Sequence, residues 1–184
     1  MRQVFLAFIL AVFSYSVMAD MVIMETSRTN SNQGKGAGDG RTFLYYKDIN
    51  KNFDANIEYI GTETDHTHVT STKLEFGLRG KYYTDWGYVF LKGTWGTKSS
   101  STSDYDYYAI EPGVKVNLGQ TPVSLGFSYK MRDTFNNKYH DDTDIARYSI
   151  FYKVTENNTV GFRYDQYRGD SDMDMYSLNW AIHF

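Results

Sequence analysis

The chain has no cysteine and only 2 prolines in its 184 residues. Lacking thiols, it can form no disulfide, offer no sulfur nucleophile and build no zinc–cysteine site. Scarce proline leaves almost every backbone amide free to donate to a hydrogen-bonded ladder. Beyond residue 19 no apolar run approaches the ~20 residues of a membrane-spanning helix. A mean hydropathy of −0.52 would by itself describe a soluble, secreted chain. Net charge is only −3, and the charges are scattered instead of forming a basic block, which argues against a nucleic-acid partner.

What the chain does contain points elsewhere. It has 17 Tyr, 12 Phe and 3 Trp, residue types enriched in strands and at membrane interfaces. At the start, Arg2 precedes an apolar stretch from Val4 to Phe13, and Val17-Met18-Ala19 places small residues at −3 and −1 of a cleavage site. This reads as a signal peptide over 1–19, cleaved after Ala19, with residues 20–184 as the mature unit.

From residue 41 onward, segments of alternating apolar and polar residues are divided by separators that are short and long in turn. Strands are predicted near 21–29, 41–48, 53–62, 72–83, 86–97, 104–117, 122–133, 143–154, 158–168 and 173–184. Short turns at 49–52, 84–85, 118–121 and 155–157 take turns with longer polar loops at 30–40, 63–71, 98–103, 134–142 and 169–172. This is the pattern of an all-β, antiparallel transmembrane β-barrel of about ten strands. Eight strands would remain if the glycine-rich stretch from Asn30 to Gly40 keeps the first two from pairing, and twelve is the other even-numbered possibility.

Parity identifies the faces. Tyr176, Leu178, Trp180, Ile182 and Phe184 share one side against Ser177, Asn179, Ala181 and His183, and Val123, Leu125, Phe127, Tyr129 and Met131 oppose Ser124, Gly126, Ser128, Lys130 and Arg132. The apolar face is assigned to lipid and the polar face to the lumen; a soluble sandwich, whose polar face meets water, is the structural alternative. The terminal Phe184 behind alternating apolar residues resembles the signature read by the barrel assembly machinery. These features place the protein in the bacterial outer membrane, against lipid and lipopolysaccharide, as a monomer.

On the lumen side parity collects Lys73, Arg79, Lys81, Lys92, Lys115, Lys130, Arg132, Arg147, Lys153 and Arg163, against Asp54, Glu58, Glu75, Glu111 and Asp165. Bases exceed acids about two to one in this list. Ion pairs that fill a narrow interior are one explanation. The other is a path for anions, lined by Lys81, Lys92, Lys115, Lys130, Arg132, Arg147 and Arg163. Two acidic groups, Asp141/Asp142/Asp144 and Asp170/Asp172/Asp174, are expected near each other at the loops; neither has a calcium-loop spacing. His66, His68 and His140 lack the partners of a catalytic or zinc constellation. No enzyme activity, metal or cofactor is expected.

Three segments, Glu111-Pro112-Gly113-Val114, Leu125 to Asp133 and Val160 to Asp165, make the stretch from Ala109 to Phe184 resemble the oligogalacturonate-specific porin family. That resemblance implies a small monomeric channel for acidic sugars, with Lys130, Arg132, Arg147 and Arg163 as its basic lumen residues. Family members have twelve strands and arginine tracks; this chain is shorter by roughly a hairpin and carries lysine at several places. The expected function is passive diffusion of small anionic solutes such as acidic oligosaccharides. A non-conducting surface barrel whose loops bind partners is the alternative.

Overall fold

The computed structural model describes residues 20–31, 37–65, 68–101, 103–135 and 141–184. The expected signal peptide and cleavage site lie outside them. Ten strands follow one another: β1 (Asp20–Ser31), β2 (Ala37–Asn50), β3 (Phe53–Thr64), β4 (Thr70–Thr84), β5 (Gly87–Ser100), β6 (Asp104–Asn117), β7 (Val123–Thr134), β8 (Thr143–Lys153), β9 (Asn158–Gly169) and β10 (Met173–His183). Each pairs antiparallel with its sequence neighbours, and β1 pairs with β10 from Met21↔His183 to Ser31↔Met173. The sheet is a closed barrel, so no strand edge is left unpaired.

The expected count of ten holds, and the strand ends fall close to the alternating pattern. The largest differences are at the far ends of the hairpins. Within the stretch expected as a loop, β2 already begins at Ala37, and Gly38 and Gly40 belong to the ladder. A Cβ on Gly38 would come 2.6 Å from the Glu63 carbonyl oxygen and one on Gly40 2.3 Å from Ser27 Oγ; here glycine lets backbone and side chains close in rather than opening a loop. Likewise β5 runs on to Ser100, so the connection at 101–103 is shorter than the turn at 118–122. The expected alternation of short turns and long loops therefore holds only in part: 51–52 and 85–86 are short and 135–142 is the longest connection, but 101–103 and 170–172, expected among the long ones, are short as well.

Turns are built locally. Asn50 Oδ1 accepts from the amides of Asn52 and Phe53 at 2.8 and 3.0 Å, which folds the β2–β3 connection into an Asx turn. Gly169 ends β9 at φ 103°, where a Cβ would lie 2.2 Å from the Asp142 carbonyl oxygen, so this turn requires glycine.

The outer wall is apolar from strand to strand. Leu78, Leu91, Ile110, Leu125, Phe127, Ile150, Val160, Phe162 and Leu178 are all exposed, flanked toward the termini by Phe53, Tyr82, Trp86, Tyr152 and Trp180 and toward the other end by Tyr59, Trp95, Tyr108, Tyr148 and Tyr176. Two aromatic girdles with aliphatic side chains between them form the surface a hydrocarbon layer solvates. One continuous strip of rings crosses four strands: Phe127–Tyr148, Tyr148–Tyr164 and Tyr164–Tyr176, with centroids 5.2, 6.1 and 5.0 Å apart. The interior is the reverse: its buried residues are mostly charged or polar, and the apolar cluster of Ile145, Tyr167 and Met175 is small.

Candidate functional site: an ionic lumen

Because inward residues alternate along every strand, the same parity that builds the apolar wall stacks charges inside. Nearest the loops, Lys130 Nζ donates to both carboxylate oxygens of Glu75 at 2.8 Å, and Tyr107 Oη donates to the same carboxylate at 2.8 Å. Glu75 is on β4 and Lys130 on β7, with β5 and β6 between them, so this pair spans the lumen. Arg132 lies over the Tyr107 ring at 5.4 Å and donates to Asp141 at 2.5 Å.

Asp141 sits just outside β8 and also accepts from Tyr105 at 2.6 Å and Thr143 at 2.8 Å. Burial opposes its ionisation, but Arg132 and these hydrogen bonds prevail and hold its pKa below the usual carboxylate value.

At mid-height an unbroken chain of ion pairs crosses from β1 to β6. Glu25 pairs with Arg163 at 2.8 Å, Arg163 with Asp165 at 3.1 Å, Asp165 with Arg147 at 3.2 Å and Arg147 with Glu111 at 3.0 Å. Ser128 Oγ donates to Glu111 at 2.6 Å, and Lys92 approaches Glu58 at 3.8 Å. Each guanidinium thus serves two carboxylates, an arrangement suited to its planar fork of donors.

Toward the termini, Asp54 holds Arg79 at 2.8 Å and Lys81 at 3.0 Å, and Lys81 also reaches Asp48 at 3.2 Å. Arg79 stacks over Tyr46 at 4.4 Å. The mid-height belt separates two cavities, about 180 Å³ at the terminus end and about 160 Å³ at the loop end, both bounded by Glu58, Arg147 and Arg163.

All seven expected pore residues face this interior. Lys81, Lys92, Lys130, Arg132, Arg147 and Arg163 each hold at least one carboxylate. Lys115 holds none among the described residues; its ammonium lies 4.8 Å from the centre of the Phe151 ring. Lys73 is likewise inside without an ion pair among the described residues, lining the loop-end cavity.

The expected two-to-one excess of bases is corrected by what parity missed. Glu25 and Asp141 are buried acids of the interior and Asp48 supplies another carboxylate to Lys81, while a further buried base, Lys47, is matched by Asp20 at 3.4 Å. Lys153, expected inside, is exposed at the end of its strand. Glu25 lay in a segment with weak alternation, and Asp141 lay in an expected loop, where parity assigns no direction.

The two acidic loop groups do meet: the Asp142 amide donates to the Asp170 carboxylate at 2.9 Å, and the Asp170 amide to the Asp142 carbonyl at 2.9 Å. Asp141 itself turns inward. No cluster of three metal-ligating side chains forms among the described residues. His68 is exposed beside Glu63 at 3.0 Å, while His66 and His140 lie outside the described residues.

No protein-family model and no curated protein sequence matches the chain. Among solved structures, it is similar to an outer membrane channel, COG4313, from Pseudomonas putida F1, with TM-score 0.57 and 8% identity over 93% of this chain and 97% of that one. Its structural neighbours include the KdgM porin in complex with disordered oligogalacturonate, at TM-score 0.47 and 11% identity over 91% and 99% of the two chains. They also include the NanC porin, at TM-score 0.49 and 10% identity over 90% and 99%. At these identities the likeness is one of fold. The chain has the fold of a bacterial outer-membrane β-barrel.

Proposed function

We propose that the barrel is a narrow outer-membrane channel for small anionic solutes, short acidic oligosaccharides among them, with the mid-height ionic belt as its constriction. The observation that carries this reading is the placement of Lys73 and Lys115. They lie on either side of the belt, and neither forms an ion pair with a carboxylate among the described residues, although Asp141 and Glu75 stand in the neighbourhood of Lys73. An anion approaching from either end meets a favourable potential, which the low-dielectric wall reinforces and salt weakens. At the belt, Arg147 and Arg163 can exchange Glu111 or Glu25 for a carboxylate of the solute, while Lys81, Lys92, Lys130 and Arg132 set the potential along the way.

The closed sheet leaves no edge to which a second chain could add a strand. Phe184, 72% exposed at the end of β10, is offered to the assembly machinery. Single-channel recording of the refolded mature chain in a planar bilayer tests the reading. Anion preference is expected, stronger in dilute salt, with Arg132→Glu and Arg163→Glu shifting the reversal potential toward cations. Cation preference would overturn it. Absence of any conductance would favour a second reading, a sealed surface barrel, which the completeness of the belt's ion pairing supports.

A further inference from the structure

The two cavities differ in chemistry. Around the loop-end cavity stand Lys73, Lys98, Lys130 and Arg132 among hydroxyls and carboxylates, with Ile145 and Met175 on one side. The terminus-end cavity is instead walled by apolar and aromatic side chains, Ile23, Leu44, Tyr88, Phe90 and Phe151, with Lys115 set among them. Its carboxylates, Glu25, Glu58 and Glu111, belong to the belt, where each is held by a base. The titratable groups facing Lys115 are the cation Arg79, itself committed to Asp54, and the imidazole of His183. Glycines keep the space open: a Cβ on Gly126 would lie 2.4 Å from Ser149 Oγ, and one on Gly113 would lie 2.3 Å from the Phe90 ring.

A half-buried ammonium with a ring on one side and no carboxylate partner is an incomplete ion pair. The apolar walls around it favour a partner that brings its own apolar body. We infer that the terminus-end cavity is a binding site for a compact hydrophobic carboxylate, its carboxylate on Lys115 and its body against Phe90, Tyr88 and Phe151. A hydrophilic anion satisfies the ammonium but leaves the rings wet, and a neutral aromatic fills the space but leaves the charge unmatched. This deepens the channel reading by naming a solute class for one vestibule. Since binding is read at equilibrium without current, its failure leaves conduction standing, and a sealed barrel with this site remains detectable.

The test is fluorine NMR titration of the folded, refolded-in-micelle mature chain with 4-fluorobenzoate, against micelles alone. Saturable binding is expected, weakened about tenfold or more for fluoroacetate and for 4-fluorobenzyl alcohol. Lys115→Met should abolish the saturable component, whereas Lys153→Met, altering an exposed base at a strand end, should leave it intact. Should Lys115→Met fail to fold, judged by heat-dependent gel migration, Phe151→Leu and Lys115→Arg serve in its place. The first should weaken 4-fluorobenzoate several-fold without affecting fluoroacetate, and the second should retain binding. No saturable binding, equal affinity for fluoroacetate, or indifference to both the Lys115 and Phe151 changes would overturn the inference.

Discussion

Arg147 and Asp165 stand directly opposite each other across the β8–β9 ladder, and each holds a further partner, Glu111 for the arginine and Arg163 for the aspartate. Neither can be removed without leaving a buried charge that has lost part of its pairing. Asp165→Asn should therefore cost on the order of 3–5 kcal/mol in urea unfolding of the lipid-embedded protein. The paired replacement of Arg147 and Asp165 by Met and Leu should cost clearly less than the sum of the single changes. Additive losses would mean that the two act independently.

Facing is testable on the outer wall. Lysine at Leu125 or Phe162, both exposed in the apolar belt, should lower folding stability in bilayers by about 2–4 kcal/mol. Leucine at Phe162 should change little. Equal tolerance of lysine and leucine would mean that this wall does not contact hydrocarbon.

The mouth should respond to acid. Asp141 has a folded-state pKa below its ordinary value, so the stability it contributes is complete above about 3.9, the unfolded carboxylate value. It is lost as pH falls from there through the depressed folded pKa. Amide exchange at Asp142 and Asp170, whose amides donate to the Asp170 carboxylate and the Asp142 carbonyl respectively, should quicken in that window. Asp141→Asn should already be destabilised at neutral pH and should lack this acid step.

Vestibule charge should be separable from belt charge. Lys73→Gln should reduce anion preference for solutes arriving from the loop end, with the larger effect in dilute salt, and should leave urea stability nearly unchanged because no ion pair is broken. A large loss of stability would show that Lys73 is held by a group outside the described residues.

Most of the fold was legible because the wall imposes a period of two wherever one face meets lipid and the other does not. From β6 to β10, Val, Leu, Phe and Tyr alternate with Ser, Gly, Lys and Arg, and the strand limits could be drawn almost residue by residue. In β1 the outward positions include Thr26 and Arg28 and the inward ones Glu25 and Ser27, so polarity no longer marks the face and Glu25 escaped notice. Gly38 and Gly40 looked like loop residues because composition does not distinguish a glycine that turns the chain from one that lets neighbours approach. The lumen's near neutrality was hidden for the same reason: it depends on Glu25 and on Asp141, which reaches inward from beyond a strand end. Pairing across the barrel, such as Glu75 with Lys130, follows from closure and has no local signature.

The seam between β1 and β10, where Met21 lies against His183 and the Phe184 amide donates to the Asp20 carbonyl at 2.9 Å, carries a consequence for biogenesis. The ladder is circular, and its closing rung joins β1 to β10, nine strands further along the chain. A nascent chain emerging strand by strand can form hairpins but cannot shut the cylinder until β10 arrives, so the buried charges have no sealed interior before then. Removing β10 should leave an open sheet with two raw edges and a wet ionic face, unable to insert by itself. Insertion is thereby tied to the arrival of β10, and the polar lumen works as a check that a chain lacking it cannot pass.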